Sequence, residues 1–119
     1  MPNPARTHHQ SSKLEHFLGL ADLYIEYGMP EVFEIEPDIC PEYRPDVYMI
    51  KGGEHIIIEY QRTIITRSKM QDKIDRFVQA YNRGKHSSRA LWIVSNFKYN
   101  HVIYPSQFTV LQMEKAPGA

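Results

Sequence analysis

A chain of 119 residues, 42% of them apolar, holds one domain with a real hydrophobic core and has little room for a second module. Its 14 basic and 14 acidic residues cancel, which excludes the global basic signature of many nucleic-acid binders and confines any such contact to local clusters. A single cysteine, Cys40, excludes an internal disulfide framework, and no apolar run approaches the length of a membrane span.

The polar, histidine-containing start is unlike a signal peptide, so the expected location is the cytoplasm. Residues 1–11 contain two prolines and read as a flexible tail ahead of one domain over 12–119. Ser12 offers an N-cap, with Glu15 in the capping-box position three residues on. Leu14, Phe17, Leu18, Ala21 and Ile25 then recur at helical spacing, which predicts a helix over 13–27 with that stripe buried, stopped by Gly28 and Pro30.

Val32, Phe33 and Ile35 mark a short strand over 32–36, followed by a loop bearing Pro37 and Pro41. Two strands over 46–50 and 55–61 flank Gly52-Gly53, a hairpin signal. Ile56-Ile57-Ile58 is a continuous β-branched run, as expected of a strand covered on both faces. After a polar loop, Ser68 is the predicted cap and Gln71 its capping-box partner for a helix over 69–83. Met70, Ile74, Phe77, Val78 and Tyr81 form its buried stripe, and Gly84 closes it. Strands over 90–95 and 108–113 complete the order α-β-β-β-α-β-β. That order predicts a three-layer α/β/α domain, a mixed sheet with a helix on each face.

The chemistry concentrates in residues 44–62. Asp46 follows Pro45 as the chain enters the first hairpin strand, and Glu59 lies near the end of the second. An antiparallel hairpin brings those ends together, where two carboxylates repel unless a cation lies between them. A divalent-metal site is the sharper expectation; the plainer one is that Asp46 caps a strand and Glu59 pairs with a neighbouring base. A carboxylate directly after three isoleucines is costly to bury unpaired, which favours the metal. Asp22 belongs to the predicted stripe of the first helix, on or at the rim of its buried face, and is a candidate third acid. Glu36 could also point toward the Asp46 end. Arg62, Arg67, Lys69, Lys73 and Arg76 form a basic cluster, with Lys69, Lys73 and Arg76 on one helical stripe; alone it reads as a solvated face with salt bridges such as Asp72 to Arg76, and beside the acids as a set of DNA phosphate contacts.

The element order, the Pro45-Asp46 pair and Glu59-Tyr60-Gln61 together resemble the PD-(D/E)XK nuclease superfamily. Residues 18–25, 44–46 and 58–63 are most similar to the nuclease-type domain of plasmid and phage replication-relaxation proteins, a likeness spanning about 17–94. It implies a restriction-endonuclease-like fold and a Mg²⁺ or Mn²⁺ ion held by Asp46, Glu59, the Tyr60 backbone carbonyl and Asp22. Gln61 stands where the family usually has lysine; Lys69 or Lys73 could return the missing charge from the next helix. The implied activity is a metal-dependent DNA endonuclease, nicking or resolving branched DNA of a phage or plasmid. The alternative is a non-catalytic DNA-binding replication-accessory protein that keeps the fold. The same resemblance implies a homodimer in the cytoplasm of a bacterial or phage-infected cell, with DNA and no membrane as partner.

Overall fold

Gly52 and Gly53 both hold left-handed backbone, with φ of 58° and 79°. A two-residue turn between antiparallel strands requires that conformation, and a side chain would resist it. In the computed structural model, which describes residues 4–114 with side chains from Leu14 onward, this turn closes the central hairpin. The elements are α1 (Pro4–Glu26), β1 (Val32–Ile35), β2 (Val47–Lys51), β3 (Glu54–Gln61), α2 (Arg67–Asn82), β4 (Ala90–Ser95) and β5 (Thr109–Met113). The described strands form one five-stranded sheet in the order β1-β2-β3-β4-β5. β1 to β3 are an antiparallel meander, while β3, β4 and β5 run parallel. Parallel neighbours need a crossover, and α2 is the one joining β3 to β4.

The isoleucine run explains the layering. Ile56, Ile57 and Ile58 are at most 2% exposed, and successive side chains of a strand point to opposite faces. Ile57 joins Met70, Ile74, Phe77 and Ala80 of α2 in one core. Ile56, Ile58 and Tyr60 join Leu20 and Leu23 of α1 and Val47 and Met49 of β2 in the other. The domain is thus the α/β/α sandwich that the element order predicts.

Two helix starts differ from expectation. Thr66, not Ser68, caps α2: its backbone is extended (φ −66°, ψ 156°) and its hydroxyl accepts the Lys69 N–H at 3.1 Å. Ser68 lies inside the first turn, so Gln71 has no capping box to complete. Gln71 instead clamps the 103 loop, donating to the Ile103 carbonyl at 2.6 Å and accepting its N–H at 2.7 Å. α1 begins at Pro4, so Ser12 is internal to a helix rather than its cap, and much of the expected tail 1–11 is helical; residues 1–3 lie outside the described ones.

The face of α1 is also corrected. Leu14, Phe17, Leu18 and Ile25 are each more than half exposed, while Leu20 and Leu23 are fully buried. Gly19 decides this. A Cβ at that position would stand 2.6 to 2.8 Å from the Tyr60 ring and hydroxyl, so only a residue without a side chain allows helix and sheet to come this close. The helix presents the stripe with the glycine, although the other stripe is the more apolar.

Gly19→Ala gains up to about 1 kcal/mol of helix propensity and loses about 1–3 kcal/mol to overpacking against a buried ring. Urea denaturation should show a net loss of up to about 2 kcal/mol; a stabilised variant would mean that α1 and Tyr60 do not meet this closely.

Candidate active site at the open end of the hairpin

Val47 stands opposite Ile58 in the β2–β3 register, so the next position out sets Asp46 opposite Glu59. The two acids are close enough for the charge of Asp46 to act on Glu59. Asp46 Oδ2 accepts the Tyr60 N–H at 2.7 Å, and its Oδ1 lies 3.3 Å from His16 Nε2 on α1. Glu59 faces the α2 side, only 4% exposed, with Lys73 Nζ 3.7 Å from its Oε2. The acids therefore lie at the junction of both helices and the end of the sheet.

Burial pushes the Glu59 carboxyl up to about 8; the charge of Asp46 adds to the rise, and Lys73 opposes it. Asp46 is also raised by burial, against the Tyr60 N–H, His16 and Lys73. Tyr43 adds a third polar group. Its hydroxyl is buried without a hydrogen-bond partner among the described residues. Burial and then the charges of Glu59 and Asp46 hold its proton on far above the ordinary tyrosine range.

Asp46 opens onto a cleft of about 840 Å³ that Gln61, Arg62 and Lys73 also line. Gln61 turns its amide onto the Thr63 carbonyl at 2.9 Å, and Arg62 Nη2 meets Glu15 Oε2 at 2.6 Å. Arg67 and Lys69 are exposed and outside the cleft lining, and Arg76 pairs with Asp72 at 3.1 Å. Of the predicted basic cluster, the fold brings Arg62 and Lys73 to the acids.

Asp22 is a correction: it is exposed on α1 and does not line the cleft. Once the helix is turned to bury Gly19, the residue delivered to Asp46 is His16. The signal for it was present, since His16 lies four residues before Leu20 and seven before Leu23, on the stripe that is buried. Glu36 does line the cleft, holding φ of 50°, and its N–H donates to the Asp46 carbonyl at 2.7 Å. Met29 and His101, which do not line the cleft, hold the same left-handed backbone, so this conformation does not single out the site.

A family model described as competence protein CoiA, nuclease-like domain, matches residues 8–118. The chain belongs to that family. No curated protein and no solved structure matches it. The nuclease-like reading thus holds for this CoiA-type domain, and the family model is that of a competence protein rather than of replication-relaxation proteins. Among the described residues no helix is long and apolar enough to cross a membrane.

The donors of the CoiA-type domain suit a hard cation better than a soft one. Among the described residues no three His, Cys, Asp or Glu side chains form a metal-binding group; Asp46 and Glu59 are a pair of oxygen donors. One or two carboxylates, with water and substrate phosphate completing the shell, are the usual protein share for Mg²⁺.

Glu59 in the folded protein keeps a proton, up to about pH 8, that an unperturbed glutamate releases near 4.5. Its contribution to metal-free stability therefore falls as pH rises through that window. In thermal melts with EDTA, the midpoint of the parent relative to Glu59→Gln should drop between about pH 4.5 and 8, and Mn²⁺ should raise the parent more at pH 8 than at pH 6. A difference that stays flat across the window would contradict this account of Glu59.

Proposed function

We propose that the domain is a metal-dependent nuclease that hydrolyses phosphodiester bonds of DNA, with a PD-(D/E)XK-type site built on Asp46 and Glu59. The observation that carries the reading is the buried Glu59 set against Asp46 with Lys73 as the near cation. Such an arrangement is costly for a fold and useful for a site that awaits a divalent ion and a phosphate.

Asp46 and Glu59 would hold Mg²⁺ or Mn²⁺, and the Tyr60 carbonyl is the backbone oxygen proposed beside them. The bound ion would polarise a phosphate oxygen and lower the pKa of a water. Lys73 offsets the negative charge that builds on the phosphate during attack, the role that Gln61 cannot fill. Gln61 orients water through its amide once released from Thr63. His16 holds Asp46 in place through Oδ1, and Arg62 at the cleft mouth contacts a flanking phosphate. Arg67, Lys69 and Arg76, further along α2, extend the phosphate track.

Cleavage of labelled linear, nicked and four-way DNA, with Mg²⁺, Mn²⁺ or EDTA, tests the reading. Activity should need the metal. Asp46→Asn or Glu59→Gln should lower it at least a hundredfold, roughly 3 kcal/mol of barrier, while DNA binding survives. Lys73→Met should cost about 10² in kcat, and Gln61→Ala distinctly less. Asp46→Asn and Glu59→Gln proteins that cut as fast as the parent would remove these acids from the site. Metal-independent binding with no cutting of any substrate would favour a DNA-binding accessory role instead.

A further inference from the structure

The lining of the cleft beside the acids is of two chemical kinds. Asp46, Lys73 and Arg62 are charged, whereas Phe17 and the half-buried Ile35 are apolar. Phe17 is 53% exposed, an aromatic ring left open to solvent where the cleft admits a ligand. A phosphate and a divalent ion account for the charged residues alone. An apolar side chain offers nothing to a phosphate, which needs cations or N–H donors.

We propose that Phe17 is a base-stacking platform and that the substrate is single-stranded DNA. The inference deepens the nuclease reading and rests on it only for the cutting step. In a continuous duplex each base has both faces covered by its neighbours, and the molecule presents phosphate and sugar to a protein surface. The exposed Phe17 ring would then have no partner in the substrate. A strand with unpaired bases can set one base against Phe17 while its phosphate reaches toward Lys73 and Arg62. Stacking of bases on aromatic side chains, alongside cations that follow the backbone, is how single strands are gripped without sequence preference. A volume of about 840 Å³ is ample for a nucleotide.

Leu18 supplies the control. It is the next residue, 51% exposed, and does not line the cleft. Loss of general apolar stickiness would follow from Leu18→Ala as well; loss of a stacking platform would not.

The experiment is fluorescence anisotropy of a labelled 12-nucleotide oligothymidylate and of a matched hairpin duplex, titrated in EDTA with the parent, Phe17→Ala, Phe17→Trp and Leu18→Ala proteins. The parent should bind the single strand more tightly than the duplex. Phe17→Ala should weaken single-strand binding about tenfold, the effect of one lost stacking contact, and leave duplex binding alone. Phe17→Trp and Leu18→Ala should bind the single strand as the parent does. Duplex binding as tight as single-strand binding, or a Phe17→Ala protein with undiminished affinity, would overturn the inference even if the protein cuts DNA. Because the readout needs no cleavage, a protein that cuts nothing but shows the full binding pattern would retain the platform and lose the nuclease reading.

Discussion

Two like charges about 4 Å apart repel by about 1 kcal/mol in water and about 4 kcal/mol at the effective dielectric of a protein surface. Asp46 and Glu59 face a cost of that second kind whenever both are ionised, and Glu59, only 4% exposed, keeps its proton up to about pH 8. What surrounds them relieves that repulsion in part: Lys73 from α2, His16 from α1 and the Tyr60 N–H from the strand itself. One lysine at 3.7 Å does not offset the burial of two carboxyl groups: burial is the first cause of the raised pKa of both acids, and for Glu59 the charge of Asp46 adds to it. A domain selected for packing alone would have placed an apolar side chain at position 59, next after three isoleucines.

In the proposed site the positive charge comes from a helix and not from the strand that carries Glu59. Gln61 occupies the strand position, and its amide is engaged with Thr63. Lys73 reaches the same acids from the crossover helix. The charge is thus tied to the packing of α2 on the sheet, through Met70, Ile74 and Phe77 on the same helix. Anything that loosens that core moves the cation away from Glu59.

Local chemistry was readable and long-range geometry was not. The Gly52-Gly53 turn, the isoleucine run and the placing of Asp46 against Glu59 all follow from short-range rules, and the fold bears them out. Lys69 and Lys73 were equally readable, and that Lys73 is the one beside Glu59 depends on how α2 packs on the sheet. The first helix was misread because it carries apolar residues nearly all round between Leu14 and Ile25. Periodicity chose the stripe with more leucine and isoleucine, whereas steric approach chose the stripe with Gly19. That one rotation turned Asp22 outward and brought His16 in. The capping error at Ser68 is smaller and similar in kind, since Thr66 and Ser68 are both able caps and the path of the preceding loop decides between them.

The hairpin acts as a ruler for the acids. Asp46 and Glu59 face each other only because β2 and β3 keep one register from Val47↔Ile58 to Lys51↔Glu54. Lengthening the chain at the Gly52-Gly53 tip adds residues beyond the last pair and leaves the far end unchanged. A single residue inserted between Ile56 and Ile58 has another outcome: side chains alternate with period two, so every position past the insertion changes face. Glu59 would then turn toward the α1 core and Tyr60 toward α2. In related chains, length variation is therefore expected at the tip of this hairpin and not along its strands.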